Sequence, residues 1–185
     1  MTAQEYREQF VEKKTKNASE KVRYTNSQSR KRGEGAEELI ISACEYYKKM
    51  GIALIEKTPE PMKVIKSLQN GEFISVFTKK SQPDFKGVLK GGQCVHFECK
   101  STQNDRILKK AVTPEQTEAL EKSFILGAEC FVVVYFYMVN KAFKFPWNVW
   151  NNMETIFKHK YISIDDAKSY EVNVGYYGID FLKTN

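Results

Sequence analysis

Apolar side chains first fall into a regular spacing just after Gly33. Ala36, Leu39, Ile40, Ala43, Tyr47 and Met50 recur every three or four residues and Gly51 supplies a stop, which predicts a helix over residues 34–50. Ile52–Glu56 reads as a short strand ending before Pro59 and Pro61. In Met62–Lys80, Asn70-Gly71 separates Val64 and Ile65 from Phe73, Ile74 and Val76, which is hairpin chemistry. With two prolines at its base, this segment is predicted to project as a β-arm. Two further strands, about Asp84–Leu89 and Gln93–Lys100, are joined at Lys90-Gly91-Gly92. Thr113-Pro114-Glu115-Gln116 places Thr at N-cap, Pro at N1 and Gln at N3 of a helix that runs to about Leu126 and stops at Gly127. Phe131–Val139 is a continuous β-branched and aromatic run, as in a strand buried on both faces. The tail from Phe143 is aromatic-rich, with a short helix near Trp147–Phe157. This order predicts an α/β domain around a mixed β-sheet flanked by helices.

Residues 1–32 have a different texture. Tyr6, Phe10 and Val11 support one or two helical turns, and Thr15–Arg32 reads as a mobile arm. The chain has 185 residues and a net charge of +6, which divides unevenly. The arm holds nine Lys/Arg against four Glu, so the rest of the chain is nearly neutral. A basic appendage on a neutral body points to contact with a polyanion at one place. The longest apolar run, Cys130–Val139, is half of the roughly 20 residues that a membrane helix needs. The charged N-terminus lacks the apolar stretch of a secretory signal, so a cytoplasmic protein without membrane association is expected. Cys44, Cys94, Cys99 and Cys130 form no C-x-x-C pair and read as small buried apolar residues. Trp147 and Trp150, with Tyr135, Phe136 and Tyr137, read as core or dimer interface rather than as platforms for bases.

Candidate chemistry concentrates at Pro83-Asp84 and Glu98-Cys99-Lys100. Alternate strand residues share a face, so Glu98 and Lys100 project together with His96 and Cys94, while Val95, Phe97 and Cys99 turn to the core. Asp84, at the start of the preceding hairpin strand, can converge on Glu98. Two carboxylates about 4 Å apart repel by about 4 kcal/mol at an effective dielectric near 20. A hard divalent cation offsets that repulsion, and Mg²⁺ takes one or two carboxylates plus water and phosphate oxygens. The spacing P-D-x(13)-E-x-K resembles the PD-(D/E)xK nucleases. The alternative is a solvated strand face carrying an ion pair worth about 0–1 kcal/mol.

A second resemblance covers roughly residues 31–182. Arg32-Gly33, Glu37, Ile40, Glu45-Tyr46-Tyr47, Ile52–Lys57, Pro59 and Pro61 resemble the opening of the RecU-type Holliday junction resolvases. Asp84-Phe85-x-Gly87, Phe97-Glu98-x-Lys100, Gln116, Gly175-Tyr176 and Ile179-Asp180-Phe181 follow in the same order. The resemblance implies a restriction-endonuclease-like core over residues 33–185, a stalk at about 62–80 that engages the junction centre, a two-fold homodimer and dependence on Mg²⁺, with Mn²⁺ as a substitute. It implies Glu37, Asp84 and Glu98 as acidic metal-site residues, Lys100 as catalytic base or electrostatic stabiliser, and Gln116 at the site's edge. Glu37 has an alternative explanation as a first-turn acid facing the helix dipole, and Gln116 as one half of a capping box. His96 reads as peripheral and Asp180 as structural.

The function expected is therefore cleavage of four-way DNA junctions in recombination and repair, by metal-activated water attacking the phosphodiester, with a recombinase as a further partner. Arg30, Lys31, Arg32, Lys66, Lys79, Lys80 and Lys86 are the expected DNA contacts. Two rivals remain: a phage or restriction-type nuclease of the same superfamily, and a non-catalytic DNA-binding recombination accessory protein. Residues 79–110 carry eight basic groups against Asp84, Glu98 and Asp105, so positive charge gathers around the acids and the remaining surface is net acidic.

Overall fold

The computed structural model describes residues 35–78 and 82–182. The basic arm of residues 1–32 and its expected DNA contacts Arg30, Lys31 and Arg32 lie outside the described residues, as do Lys79 and Lys80. From Ala36 onward the chain forms one unit. Helix α1 (residues 35–49) buries Ala36, Ile40, Ala43 and Tyr47, the stripe that the spacing predicts. It ends at Gly51, whose φ of +64° suits a residue without Cβ, and the amide of Ile52 donates back to the Tyr47 carbonyl at 2.9 Å.

A six-stranded mixed sheet follows, built from β1 (Ala53–Lys57), β4 (Phe85–Leu89), β5 (Cys94–Thr102), β7 (Glu129–Phe136), β8 (Lys141–Pro146) and β10 (Glu171–Val172). They lie side by side in the order β1-β4-β5-β7-β8-β10, and only β5 and β7 are parallel. The parallel pair is joined through β6 (Arg106–Leu108) and helix α2 (Pro114–Ile125). Both faces of the sheet are packed. On the α1 side, Phe85, Phe97 and Phe131 stack across three strands with ring centroids 5.0 and 4.6 Å apart, and Phe181 leans on the last two. On the α2 side, Leu120, Val132, Val134, Phe143, Phe145, Trp147 and Trp150 form the second core. Strand β7 divides its side chains between the two, as its unbroken apolar text requires. Both tryptophans are core residues in this chain.

The hairpin after Pro61 comprises β2 (Met62–Ser67) and β3 (Phe73–Phe77). Its turn is wider than a two-residue type: Leu68 N–H donates to the Glu72 carbonyl at 2.8 Å, around Asn70 and Gly71, both at positive φ. A register shift at Ile65 makes the hairpin bulged.

Three expectations are corrected. The buried strand stops at Phe136 rather than Val139, because Tyr137–Asn140 turn the chain over and Asn140 takes a φ of +52°. The tail holds far more than one short helix. It contains β8, helices α3 (Trp147–Asn151) and α4 (Met153–Phe157), β9 (Tyr161–Ser163) paired with β6, α5 (Ile164–Ala167), β10, and a small hairpin of β11 (Val174–Gly175) and β12 (Gly178–Ile179). The two helices break at Asn152, whose side-chain amide donates to the Asn148 carbonyl at 2.8 Å. Among the cysteines, Cys44, Cys99 and Cys130 are buried, but Cys94 is exposed because it opens β5 beyond the cover of α2.

Candidate active site

Strand register assembles the acidic pair. Phe85 lies opposite Phe97 across β4–β5, which brings Asp84, one residue earlier, beside Glu98, one residue later. Both phenylalanines face α1, so both carboxylates face the other side of the sheet. The tie is direct: the Asp84 amide donates to Glu98 Oε1 at 3.2 Å, and the Cys99 amide donates to Asp84 Oδ2 at 3.2 Å. Lys100, two residues beyond Glu98 on the same face, donates to Glu98 Oε2 at 2.7 Å and to Asp84 Oδ2 at 3.2 Å. One ammonium therefore bridges two carboxylates.

Helix α2 closes the site from above. Thr113 caps it, its Oγ1 accepting from the Gln116 amide at 3.3 Å while Gln116 Oε1 accepts from the Thr113 amide at 3.1 Å. The same Gln116 side chain uses its Nε2 to donate to Glu98 Oε2 at 2.5 Å. Capping and the contact with the acid are thus performed together, and Gln116 is a buried neighbour of the acid rather than an edge residue.

The cluster is shielded from solvent. Glu98 is 0% exposed and Asp84 6%, which excludes a solvated strand face. Burial raises the Glu98 carboxyl above its usual range and the neighbouring Asp84 adds to this, with Lys100 pulling the other way. Burial works against the Lys100 charge, but Glu98 and Asp84 outweigh it and hold the ammonium above its usual value. The burial of Cys99 raises its thiol, with Asp84 and Glu37 adding to the effect.

Glu37 stands in the first turn of α1, where it forms a close ion pair with Lys57 of β1. Its field reaches Cys99, but its carboxylate is engaged on the α1 side of the sheet. Among the described residues no group of three His, Cys, Asp or Glu converges to hold a metal ion. Asp84 and Glu98 are nevertheless hard oxygen donors, and a buried, unpaired hydroxyl stands on the residue whose amide bonds the Asp84 carbonyl, a donor chemistry that fits Mg²⁺ or Mn²⁺. That hydroxyl belongs to Thr58, which sequence reasoning misses, because Thr58-Pro59 reads simply as the end of a strand.

Of the other expected residues, those that are described are peripheral to this cluster. Lys66 is exposed on β2, and Lys86 is exposed on β4, donating to Gln82 Oε1 at 2.9 Å. His96 shares the acidic face but its Nδ1 is engaged with Ser123 Oγ at 2.7 Å. Asp180 accepts from the Tyr47 hydroxyl at 2.8 Å and ties the C-terminal hairpin to α1.

The family described as Recombination protein U matches residues 31–184. A Holliday junction resolvase RecU from Streptococcus gordonii is 27% identical over 138 residues, covering 71% of this chain and 68% of the relative. Its namesake from Streptococcus pneumoniae is 26% identical over 62% of this chain and 61% of its own length. That from Geobacillus kaustophilus is 28% identical over 60% and 58%. For the last two, the match spans about three fifths of the relative. Among solved structures, the Holliday junction resolvase Hjc of Archaeoglobus fulgidus is similar at 12% identity and a TM-score of 0.38, over 57% of this chain and 74% of that one. No helix among the described residues is long and apolar enough to cross a membrane.

Proposed function

Since the chain belongs to the Recombination protein U family, we propose that it is a divalent-metal-dependent endonuclease that cleaves four-way DNA junctions in the cytoplasm, acting as a homodimer. The observation that carries this reading is the single ammonium of Lys100 set between two buried carboxylates. A fold keeps such a costly cluster where a charged substrate has to be handled.

Asp84 and Glu98 would hold Mg²⁺ or Mn²⁺, which when bound supplies Lewis-acid charge and a water of lowered pKa to the phosphodiester. Lys100 offsets the negative charge that builds on the phosphate during substitution. Gln116 and the Cys99 amide fix the two carboxylates, so little reorganisation is needed as the reaction proceeds. Glu37 joins the acids only when its pair with Lys57 opens.

Symmetric resolution needs two cuts, and a two-fold dimer supplies two equivalent sites. The hairpin of β2 and β3 is the part that reaches the junction centre, with Lys66 on it. Arg30, Lys31, Arg32, Lys79, Lys80 and Lys86 contact phosphates, and a recombinase is the protein partner.

The test is nicking of a synthetic four-way junction in Mg²⁺. The wild type cleaves it, and Glu98→Ala loses at least about a hundredfold in rate. Equal cleavage by the two proteins overturns the site, and equal competition by linear duplex overturns the junction preference. Deleting residues 1–30 lowers the slope of log K against log salt by about 0.9 for each phosphate that the arm neutralises. An unchanged slope means that the arm does not touch the backbone.

A further inference from the structure

The β1–β4 ladder continues one pair beyond Lys57 and Phe85, because the Thr58 amide donates to the Asp84 carbonyl at 2.8 Å. Lys57 faces α1, where it meets Glu37, so strand alternation sends Thr58 to the opposite face, beside Asp84. Thr58, Asp84 and Glu98 therefore form one row across three adjacent strands. Thr58 is 4% exposed, and its Oγ1 has no hydrogen-bond partner. Folded proteins rarely leave a buried hydroxyl unpaired, because its lost hydration is uncompensated. A threonine is also an odd choice for a purely packing position, where valine has the same shape without that cost. Further along the same ladder β1 packs closely on β4: at Gly87 a Cβ would come within 2.1 Å of the Leu54 carbonyl oxygen.

We propose that Thr58 is a positioning residue of the cation site, its hydroxyl giving the third protein oxygen alongside Asp84 and Glu98 and bonding a water in the coordination shell of a hard divalent ion. This rests on the reading of Asp84 and Glu98 as cation ligands. It accounts for a site in which no third carboxylate converges among the described residues while Glu37 is held by Lys57. Magnesium sheds its water reluctantly, so a neutral hydroxyl that orders a bound water is as useful to it as another charge.

The experiment is calorimetric titration of the full chain with Mg²⁺ in the absence of DNA, with the unfolding temperature recorded with and without the ion. The wild type binds, and Glu98→Ala does not. Thr58→Val weakens Mg²⁺ about three- to tenfold, while Thr58→Ser, which keeps the hydroxyl, stays within about twofold of wild type. Without metal, Thr58→Val melts at or above the wild-type temperature, because the orphaned hydroxyl is gone, and Mg²⁺ raises its melting point less. Thr58→Ala is a second hydroxyl-free variant should the valine protein not fold. If Glu98→Ala abolishes binding and Thr58→Val binds like wild type, the hydroxyl is a packing feature and the proposal fails alone. If the wild type gives neither heat nor a melting shift, or Glu98→Ala binds equally well, the reading of the acidic pair fails first and takes the proposal with it.

Discussion

The residues from Thr58 to Pro61 separate two regions built on opposite terms. On one side is the six-stranded sheet, whose polar cluster is buried and mutually bonded. On the other is the hairpin of β2 and β3, where Met62, Val64, Ile65, Phe73, Ile74, Val76 and Phe77 are all exposed. The sheet hides its acidic pair and the hairpin shows its apolar side chains. Each inverts the usual distribution of buried apolar and exposed polar side chains. The difference lies in support. Asp84 and Glu98 are held by two sheet pairings, a helix cap and a stack of aromatic rings, whereas the hairpin is held by its own ladder and its turn. A two-stranded ribbon has little independent stability, so its geometry is free to adapt in a way that the acidic row is not.

The contrast can be broken by removing support from each side. Phe97→Ala takes the middle ring out of the stack beneath Glu98 and is expected to cost about 3–5 kcal/mol in urea unfolding. A loss under about 1 kcal/mol would mean that the stack does not hold the site. In the hairpin, Ile65→Ser with Phe73→Ser changes the same measurement by less than about 1 kcal/mol in total, because both side chains are exposed. That double variant weakens binding to a four-way junction more than binding to linear duplex. Equal losses on both substrates would detach the hairpin from junction recognition. A smaller effect samples one strand of the sheet at two depths. A thiol reagent labels Cys94 in the native protein, whereas Cys44, Cys99 and Cys130 react only on unfolding, since all three are buried and burial raises their thiols. Native labelling of Cys99 would show that the site opens.

Much of this organisation is legible in the text of the chain, where the signal is local. The stripe of α1, the turn at Gly91-Gly92 and the Thr113–Gln116 cap depend on neighbours a few residues away. The face shared by Glu98 and Lys100 follows from strand period alone. What escapes is set by distant partners. Gln116 has a complete local explanation as a cap, and nothing near it announces Glu98. Strand β8 is six residues in which lysines interrupt the apolar text, and it becomes a strand by pairing with β7. Thr58 looks like a strand end until Asp84 is placed across from it. Cys94 reads as apolar, yet it sits beyond the reach of the helix that would have covered it.

The parallel pairing of β5 with β7 has a consequence for the order in which the site comes together. Asp84 and Glu98 are brought side by side by a hairpin with a tight turn, a closure that takes microseconds. Their neighbour Gln116 arrives only when the chain closes the far longer loop from Val95 to its partner Glu129, and such non-local contacts form late because their closure entropy must be met first. During folding, the acids are therefore expected to meet while still in water, where their repulsion is weak, and to be sealed together afterwards. Pulse-labelled hydrogen exchange should find amides of the β4–β5 hairpin protected before those of β7, and the reverse order would mean that the buried strand recruits the acids.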